Sequence, residues 1–138
     1  MIYLDTNIFL YASDRESIHF KSCEKLLKAI ALGNIEATTS NETIQEIMHY
    51  FRFLKKDQSG LQICRGLLKL IPEPLESTNA IIDQFLNFFP KYPKPQSRDL
   101  FHLAVCVAND IGRLCTYDRQ YQKFAEVKVV EPDEIIGR

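Results

Sequence analysis

The chain has 138 residues, a length that suits a single domain around one hydrophobic core, and we take residues 1–138 as that domain. Apolar residues make up 46% of it and charged residues 25%, values typical of a globular protein. The net charge of −1 excludes a global basic field, so any contact with a polyanion must come from a local patch.

The sequence gives no sign of export or of a membrane anchor. No apolar run approaches the roughly 20 residues of a membrane span, and a predicted strand begins at Ile2, which leaves no room for a signal peptide. The four cysteines form no C-x-x-C pair, so we expect free, buried thiols in a reducing compartment. They are Cys23, Cys64, Cys106 and Cys115. We therefore expect a cytoplasmic protein.

Short apolar runs alternate with longer helical patterns, which is typical of a parallel sheet covered by helices. The pattern predicts strands over residues 2–5, 35–39, 70–75, 113–116 and 127–130. It predicts helices over residues 15–32, 41–56, 61–69, 77–89, 98–109 and 119–124. Two prolines would confine 70–75 to a sheet edge, and three prolines make 90–96 a loop. The fold class predicted is α/β: a three-layer sandwich with a mostly parallel sheet of four or five strands.

Two helix starts have recognisable capping residues. Ser13 with Glu16 resembles a capping box in front of the helix over 15–32. Ser97 is the predicted cap of the helix over 98–109, which is apolar on nearly all sides and is therefore expected to be buried.

Four acidic residues occupy comparable places in these elements. Asp5 and Asp118 each follow a predicted strand, Glu46 lies in the second turn of a helix that begins at a strand end, and Asp99 lies in the first turn of the buried helix. Because the carboxyl ends of parallel strands meet at one edge of a sheet, the four side chains can converge there.

Gathered carboxylates repel one another and resist desolvation, so they stay ionised together only if cations compensate. Mg²⁺ and Mn²⁺ prefer oxygen ligands of this kind. A bound ion can activate water and neutralise charge on a phosphate, so the chemistry indicated is metal-assisted hydrolysis of a phosphodiester.

Each acidic residue also has a purely structural interpretation. Asp5 and Asp118 can cap the segments that follow them, and Asp99 suits a first helical turn, where the macrodipole stabilises negative charge. Glu46 can be a solvated residue on a helix face. Only the combination of the four favours a site.

Four segments of the chain, in this order, resemble the PIN-domain ribonucleases. They are IYLDTN (2–7), TIQEI (43–47), SRDLFHLA (97–104) and TYDR (116–119). The resemblance covers essentially the whole chain. It implies a parallel sheet with flanking helices and a Mg²⁺- or Mn²⁺-dependent endoribonuclease, in which Asp5, Glu46, Asp99 and Asp118 match the acidic quartet of the family.

The resemblance also implies partners. Small single-domain members are commonly VapC-type toxins of toxin–antitoxin pairs, usually dimeric and silenced by an antitoxin protein. An RNA substrate, an antitoxin and a homodimer are therefore expected for this chain. The proline-rich loop before Ser97 departs from the commonest family pattern without touching the quartet.

Further residues are candidates for supporting roles. Thr6 and Asn7 could hold Asp5 or a metal-bound water, although the same pair also suits a turn. Thr116 could bridge the strands that carry Asp5 and Asp118. Arg98 and Arg119 flank acidic residues and are the candidates for phosphate contacts, whereas other small basic groups are read as solvated surface. Tyr11 and Tyr117 could stack on bases, and His102 is read as a hydrogen-bonded packing residue.

Three other functions compete with a metal-dependent nuclease. In aspartyl-phosphate hydrolases a second aspartate follows the first by two residues, and Asn7 stands there instead. A phospho-receiver module would need an acceptor aspartate after the third strand, where Glu76-Ser77 stands. The strongest alternative is a catalytically idle RNA- or protein-binding module on the same fold. Such modules usually lose acidic ligands, and this chain keeps all four.

Overall fold

The computed structural model describes residues 1–137. It contains four short strands: β1 (Ile2–Leu4), β2 (Ala37–Thr38), β3 (Arg113–Cys115) and β4 (Lys128–Val130). Seven α-helices surround them: α1 (Thr6–Ala12), α2 (Phe20–Ala31), α3 (Asn41–Phe53), α4 (Asp57–Leu70), α5 (Asn79–Lys91), α6 (Ser97–Ala108) and α7 (Pro132–Ile136). A 3-10 helix covers Arg119–Lys123.

The strands form one parallel sheet in the order β2-β1-β3-β4. Alternate residues of a strand point to opposite faces. Tyr3 and Leu114 therefore pack with α5 and α6 on one face, while Leu4 and Cys115 pack with α1, α2, α3 and α4 on the other. The predicted α/β sandwich with a four-stranded parallel sheet is confirmed.

The predicted strand over 70–75 is wrong. Helix α4 runs to Leu70, and Leu75 forms only an isolated parallel bridge with Ser40. Pro72 and Pro74 have no backbone N–H, so this segment cannot donate a continuous ladder of hydrogen bonds. Two backbone hydrogen bonds of Leu75 remain. Its N–H donates to Thr39 O at 2.9 Å, and its carbonyl accepts from Asn41 N at 3.0 Å.

The chain after β1 also differs from prediction. Residues 6–12 form α1, with Asp5 as its N-cap, and Ser13 ends this helix instead of starting the next. The Ser13 hydroxyl donates to Phe9 O at 2.8 Å, and the N-cap of the next helix is His19 instead. Asp14 Oδ1 accepts from Glu16 N in a tight turn, and α2 begins only at Phe20.

Several helix boundaries shift for local reasons. Helix α5 continues through Pro90 to Lys91, so the predicted loop over 90–96 is shorter than expected; only one internal hydrogen bond is lost this near the helix end. Gln96, not Ser97, is the N-cap of α6. The short helix α7 was not predicted; Glu131 and Glu134 form its capping box.

Helices α3 and α4 form an antiparallel hairpin that crosses closely at Gly60. A Cβ at this position would lie 3.0 Å from Phe51 Cβ and 3.1 Å from Met48 Sδ, so the glycine permits the close approach. Helix α3 stops at Phe53, and the turn passes through Lys55 with φ 59°.

Two further features of residues 1–137 bear on the expectations from sequence. All four cysteines are buried and unpaired, as predicted. Among the helices of this part of the chain, none is long and apolar enough to cross a membrane.

Candidate active site

The site lies at the carboxyl ends of β1 and β3, where the crossover connections of the sheet diverge to opposite sides. From β1 the chain crosses to β2 on one side, while β3 pairs with β1 on the other, with Leu4 opposite Cys115. A crevice forms outside the carboxyl ends of strands at such a switch point. Asp5 and Thr116, the residues that follow Leu4 and Cys115, are therefore neighbours across this crevice.

Thr116 connects three parts of the crevice. Its Oγ1 donates to Asp5 Oδ2 at 2.7 Å and accepts from Asn7 Nδ2 and from the backbone N–H of Asp118, both at 3.0 Å. A hydroxyl has one hydrogen and two lone pairs, and all three are used here. Thr116 thus fixes one oxygen of Asp5 and the approach of the chain to Asp118.

The same network sets the orientation of Asn7. Since the Thr116 hydrogen points to Asp5, the hydroxyl can only accept from Asn7, which places the amide nitrogen toward Thr116. The amide oxygen is buried and has no hydrogen-bond partner within residues 1–137.

Glu46 projects from the second turn of α3 toward Asp5. Its Oε2 accepts from Thr6 Oγ1 at 3.1 Å, and its Oε1 accepts from His102 Nε2. The same His102 nitrogen lies 3.7 Å from Asp5 Oδ1. One imidazole nitrogen therefore stands between the two carboxylates.

His102 is 1% exposed and belongs to a longer buried chain of hydrogen bonds. Its Nδ1 lies 2.5 Å from the Tyr3 hydroxyl, which lies 2.6 Å from Ser40 Oγ. The sequence indicated a hydrogen-bonded packing residue that lies one turn after Asp99 and could orient it. It gave no sign that the imidazole would meet Glu46, because that contact joins two helices. His102 is the site residue that sequence reasoning missed.

Asp99 and Asp118 complete the acidic group at the other side of the crevice. Asp99 Oδ1 accepts from the Tyr121 hydroxyl at 3.1 Å. Asp118 is the N-cap of the 3-10 helix, with Oδ1 accepting from Gln120 N at 3.0 Å. Asp5 likewise caps α1 through Thr6 N at 2.8 Å. The structural interpretation of Asp5 and Asp118 as caps therefore coexists with their place in the crevice.

Burial and mutual repulsion act on the ionisation of this group. Burial is the main cause of the raised pKa of Asp5, which His102 and Thr116 only partly offset. Burial also raises the pKa of Asp99, and the nearby charges of Asp118 and Asp5 raise it further. Glu46 is the exception: burial acts to raise its pKa, but His102, Thr6 and Arg98 together lower it.

His102 balances part of this negative charge. Burial lowers its pKa, but the hydrogen bond to Glu46 and the charges of Asp5, Glu46 and Glu42 outweigh that effect and raise it. The imidazole thus compensates Glu46 and Asp5, while Asp99 has only a neutral hydroxyl partner. The raised pKa values mean that the folded protein favours the neutral forms of Asp5 and Asp99, and a bound cation would favour their ionised forms.

The donor set suits a hard divalent ion, since it consists of carboxylate oxygens. Within residues 1–137 no three acidic, histidine or cysteine side chains are close enough to hold an ion in their present positions. In its present position Oε1 of Glu46 is hydrogen-bonded to His102. Within the described residues, Oδ2 of Asp99 and Oδ2 of Asp118 accept no hydrogen bond.

The two arginines expected near phosphates lie in different situations. Arg98 is exposed beside Glu42 and Glu46, and all three line a cavity of about 320 Å³. Arg119 is also exposed, at the start of the 3-10 helix, and forms no hydrogen bond or ion pair with the described residues. The structure therefore brings Arg98 to the carboxylates, whereas for Arg119 only the position next to Asp118 is established.

Comparison with known proteins identifies the family. The profile of the PIN domain matches residues 2–127. Ribonuclease VapC7 of Mycobacterium tuberculosis is 29% identical over 138 residues, which cover 96% of this chain and 92% of that protein. Ribonuclease VapC13 of the same organism is 25% identical over 128 residues, which cover 93% of this chain and 98% of that protein.

Solved structures share the fold at lower identity. VapBC2 from Rickettsia felis, solved bound to a DNA fragment from their promoter, matches with a TM-score of 0.76 and 18% identity, over 95% of this chain and 98% of that chain. VapC20 of M. tuberculosis, a toxin that cleaves the sarcin–ricin loop, matches with a TM-score of 0.74 and 12% identity, over 92% and 97%.

Proposed function

Because this chain belongs to the PIN-domain family, we propose that it is an endoribonuclease that hydrolyses phosphodiester bonds in single-stranded RNA with the help of Mg²⁺ or Mn²⁺. The observation that supports the proposal most is the hydrogen-bond network at the switch point of the sheet, in which Thr116 links Asp5 to Asp118 and His102 lies between Asp5 and Glu46. The charges of Asp5 and Asp118 also act on Asp99. The ribonuclease names of its relatives, VapC7 and VapC13, support the same activity.

Asp5, Asp99 and Asp118 are the proposed metal ligands, with Glu46 joining them when its carboxylate turns from His102. When bound, a divalent ion neutralises the negative charge that develops on the phosphate during hydrolysis. The residues of the chain do the rest of the positioning. Thr116 orients Asp5, Asn7 orients Thr116, and Thr6 holds Glu46.

Basic side chains at the rim would bind the RNA backbone. Arg98 lies next to Glu46 on the exposed side of the crevice, and Arg119 follows Asp118. We propose that they contact phosphates that flank the cleaved bond, since arginine pairs with phosphate through several donors at once.

We further propose that the protein is the toxin of a toxin–antitoxin pair, silenced by a small antitoxin protein in the cytoplasm. Support comes from the VapC names of its relatives and from the fold it shares with VapBC2 and with the toxin VapC20. Purified protein should lose its cleavage activity when mixed with the product of a small open reading frame adjacent to its gene.

A homodimer fits an apolar stripe on α5. Ile82, Leu86 and Phe89 follow the helical period on the outer face of this helix, and Leu86 is 57% exposed. A second copy of the chain would cover these side chains, and apolar area removed from water would stabilise the pair.

The alternative function is a catalytically idle RNA- or protein-binding module. One observation favours it: Glu46 is occupied by His102, and no three potential ligands within residues 1–137 are placed to hold an ion. Retention of all four carboxylates favours the nuclease, because an idle module has no use for uncompensated buried charge.

A cleavage assay separates the two functions. Purified protein is incubated with a panel of transfer and messenger RNAs, with Mn²⁺ or with EDTA, beside Asp99→Asn and the control Asp83→Asn, an exposed acid on α5. The nuclease cleaves only with metal, and Asp99→Asn lowers the rate by about 100-fold or more while Asp83→Asn does not. Cleavage that persists in EDTA refutes the metal mechanism, and no cleavage of any RNA favours the idle module.

A further inference from the structure

A second cavity adjoins the proposed active site and has no part in the chemistry described so far. It has a volume of about 490 Å³ and lies between α1 and the carboxyl end of α3. Asn7 lines it, and Asn7 is also the residue whose amide holds Thr116 beside Asp5. Asn7 thus connects the lining of this cavity to the hydrogen-bond network around Asp5.

The walls of this cavity carry two tyrosine rings held by other aromatic rings. Tyr11 has Tyr117 against it in an edge arrangement at 5.6 Å between centroids, and His19 at 4.9 Å. Tyr50, which is 46% exposed, is braced at 5.1 Å by Phe51 in a perpendicular arrangement. Rings fixed in this way lose little conformational entropy when a flat ligand stacks on them.

The remaining walls combine apolar and charged groups. Leu10, Phe51 and Leu54 form apolar parts of the lining, while Asp14 and Lys56 bring one charge of each sign. Lys56 forms no ion pair within the described part of the chain, and one Asp14 oxygen accepts only from Glu16 N. The cavity therefore offers a cation for a phosphate and an acceptor for an amino group next to aromatic rings.

We propose that this cavity binds one unstacked nucleotide of the RNA substrate, with its base stacked on Tyr50 and its phosphate near Lys56. The assignment rests on the proposed ribonuclease function and names a subsite for it. The volume lies in the range of roughly 300–1,000 Å³ that is usual for small-ligand pockets. Unpaired bases are commonly recognised by stacking on aromatic side chains together with contacts to their edges.

The occupant is a nucleotide rather than a protein segment. The cavity is concave and ligand-sized, it has a polar rim beside aromatic rings, and it opens next to the residues that would cut RNA. A protein partner typically covers about 800 Å² of surface on each side, which is more than a single ligand-sized cavity supplies. Phe53, which is 80% exposed on the same helix and does not line the cavity, supplies a matched control.

The test measures binding of a short labelled single-stranded RNA by fluorescence anisotropy in an Asp99→Asn background with EDTA present, so that cleavage is suppressed during the measurement. Tyr50→Ala should weaken binding about 5- to 100-fold, whereas Tyr50→Phe and Phe53→Ala should leave it unchanged. Lys56→Ala should weaken binding, and the slope of log binding constant against log salt concentration should become shallower by about one, as expected for the loss of one phosphate contact. In the cleaving protein Tyr50→Ala should raise KM with little change in kcat.

An RNA series with single abasic nucleotides identifies the occupant. If a base fills the cavity, removal of the base at one position weakens binding of the RNA to the protein that retains Tyr50. The same abasic RNA and the intact RNA should bind Tyr50→Ala with equal affinity. If Tyr50→Ala and Phe53→Ala bind RNA equally well, the subsite proposal is wrong. That outcome is also the one expected if Tyr50 contacts a protein partner instead of RNA. Failure of the wild-type protein to cleave any RNA with Mn²⁺ overturns the ribonuclease function instead.

Discussion

His102 donates from Nε2 to Glu46, and this contact joins α6 to α3 inside the crevice. The imidazole is 1% exposed, so its removal leaves the Glu46 carboxylate in a poorly hydrated place without a cation. We expect His102→Ala to lower the free energy of unfolding by about 3 kcal/mol. Urea denaturation of the metal-free protein measures this, with His49→Ala, an exposed histidine of α3, as the control. Equal stability of the two variants would show that the buried contact contributes nothing.

Asp99→Asn should stabilise the metal-free protein at neutral pH. The pKa of Asp99 is raised by burial and by the charges of Asp118 and Asp5, so the folded state favours its protonated form. Its contribution to stability is therefore present below the ordinary pKa of about 3.9 and is lost as the pH rises through the raised value. Asparagine does not ionise, so it avoids this pH-dependent loss of stability. Its amide oxygen can still accept the hydrogen bond from the Tyr121 hydroxyl.

Thermal unfolding between pH 3 and 8 in EDTA checks that prediction. The gap in Tm between Asp99→Asn and the wild type should widen as the pH rises, while the control Asp83→Asn shows no such trend. Mn²⁺ should raise the Tm of the wild type more than that of Asp99→Asn, because a ligand of the ion has been lost. If the wild type is more stable than Asp99→Asn at every pH, ionised Asp99 is not destabilised by burial and by the charges of Asp118 and Asp5.

Thr116→Val should impair both stability and cleavage. The hydroxyl serves Asp5, Asn7 and the backbone of Asp118, and its removal leaves buried polar groups without a partner. We expect a loss of about 1–3 kcal/mol in the free energy of unfolding and a cleavage rate reduced by about tenfold or more. Thr38→Val is the matched control, since its buried hydroxyl forms one long bond of 3.3 Å to Thr39 O. Comparable losses in the two variants would remove the special role of Thr116.

Gly60→Ala and Gly66→Ala, both in α4, should have opposite effects. A Cβ at Gly60 would meet Phe51 and Met48, and overpacking of this kind costs about 1–3 kcal/mol of stability. A Cβ at Gly66 has nothing within 4 Å, so alanine there should stabilise the helix by about 0.5–1 kcal/mol. Chemical denaturation of both variants gives the comparison, and destabilisation by Gly66→Ala would invalidate the argument.

Leu86→Glu should dissociate the proposed homodimer. A carboxylate in the middle of an apolar contact is desolvated without a partner, so the association constant should fall by about 100-fold or more. Sedimentation velocity over a range of concentrations measures it, with Asn87→Glu, the exposed neighbour on α5, as the control. A wild type that is monomeric at all concentrations would exclude the dimer.

The sequence was informative where the hydrophobic pattern was strong. The strands that precede Asp5 and Thr116 were predicted within a residue, and their parallel pairing follows from the alternation of strands and helices. The neighbouring position of Asp5 and Thr116 followed from these two predictions together, because parallel strands end at the same edge.

What the sequence did not indicate depends on contacts between distant segments. Helix α1 has only seven residues and is stabilised by the Asp5 cap and by packing of Ile8 and Phe9, not by propensity. The meeting of His102 with Glu46 depends on how α6 and α3 lie against each other, which no local pattern encodes. Tyr50 and Tyr11 share a cavity for the same reason.

The bond between Thr116 and Asp5 joins residues 111 positions apart. Strand β1, which directly precedes Asp5, is synthesised before its neighbour β3. A nascent chain that ends before residue 113 therefore lacks one of the two strands that pair with β1, and it lacks Thr116 and Asp118 of the crevice. The proposed nuclease would therefore stay inactive toward its own messenger RNA until residues 113–118 have left the ribosome.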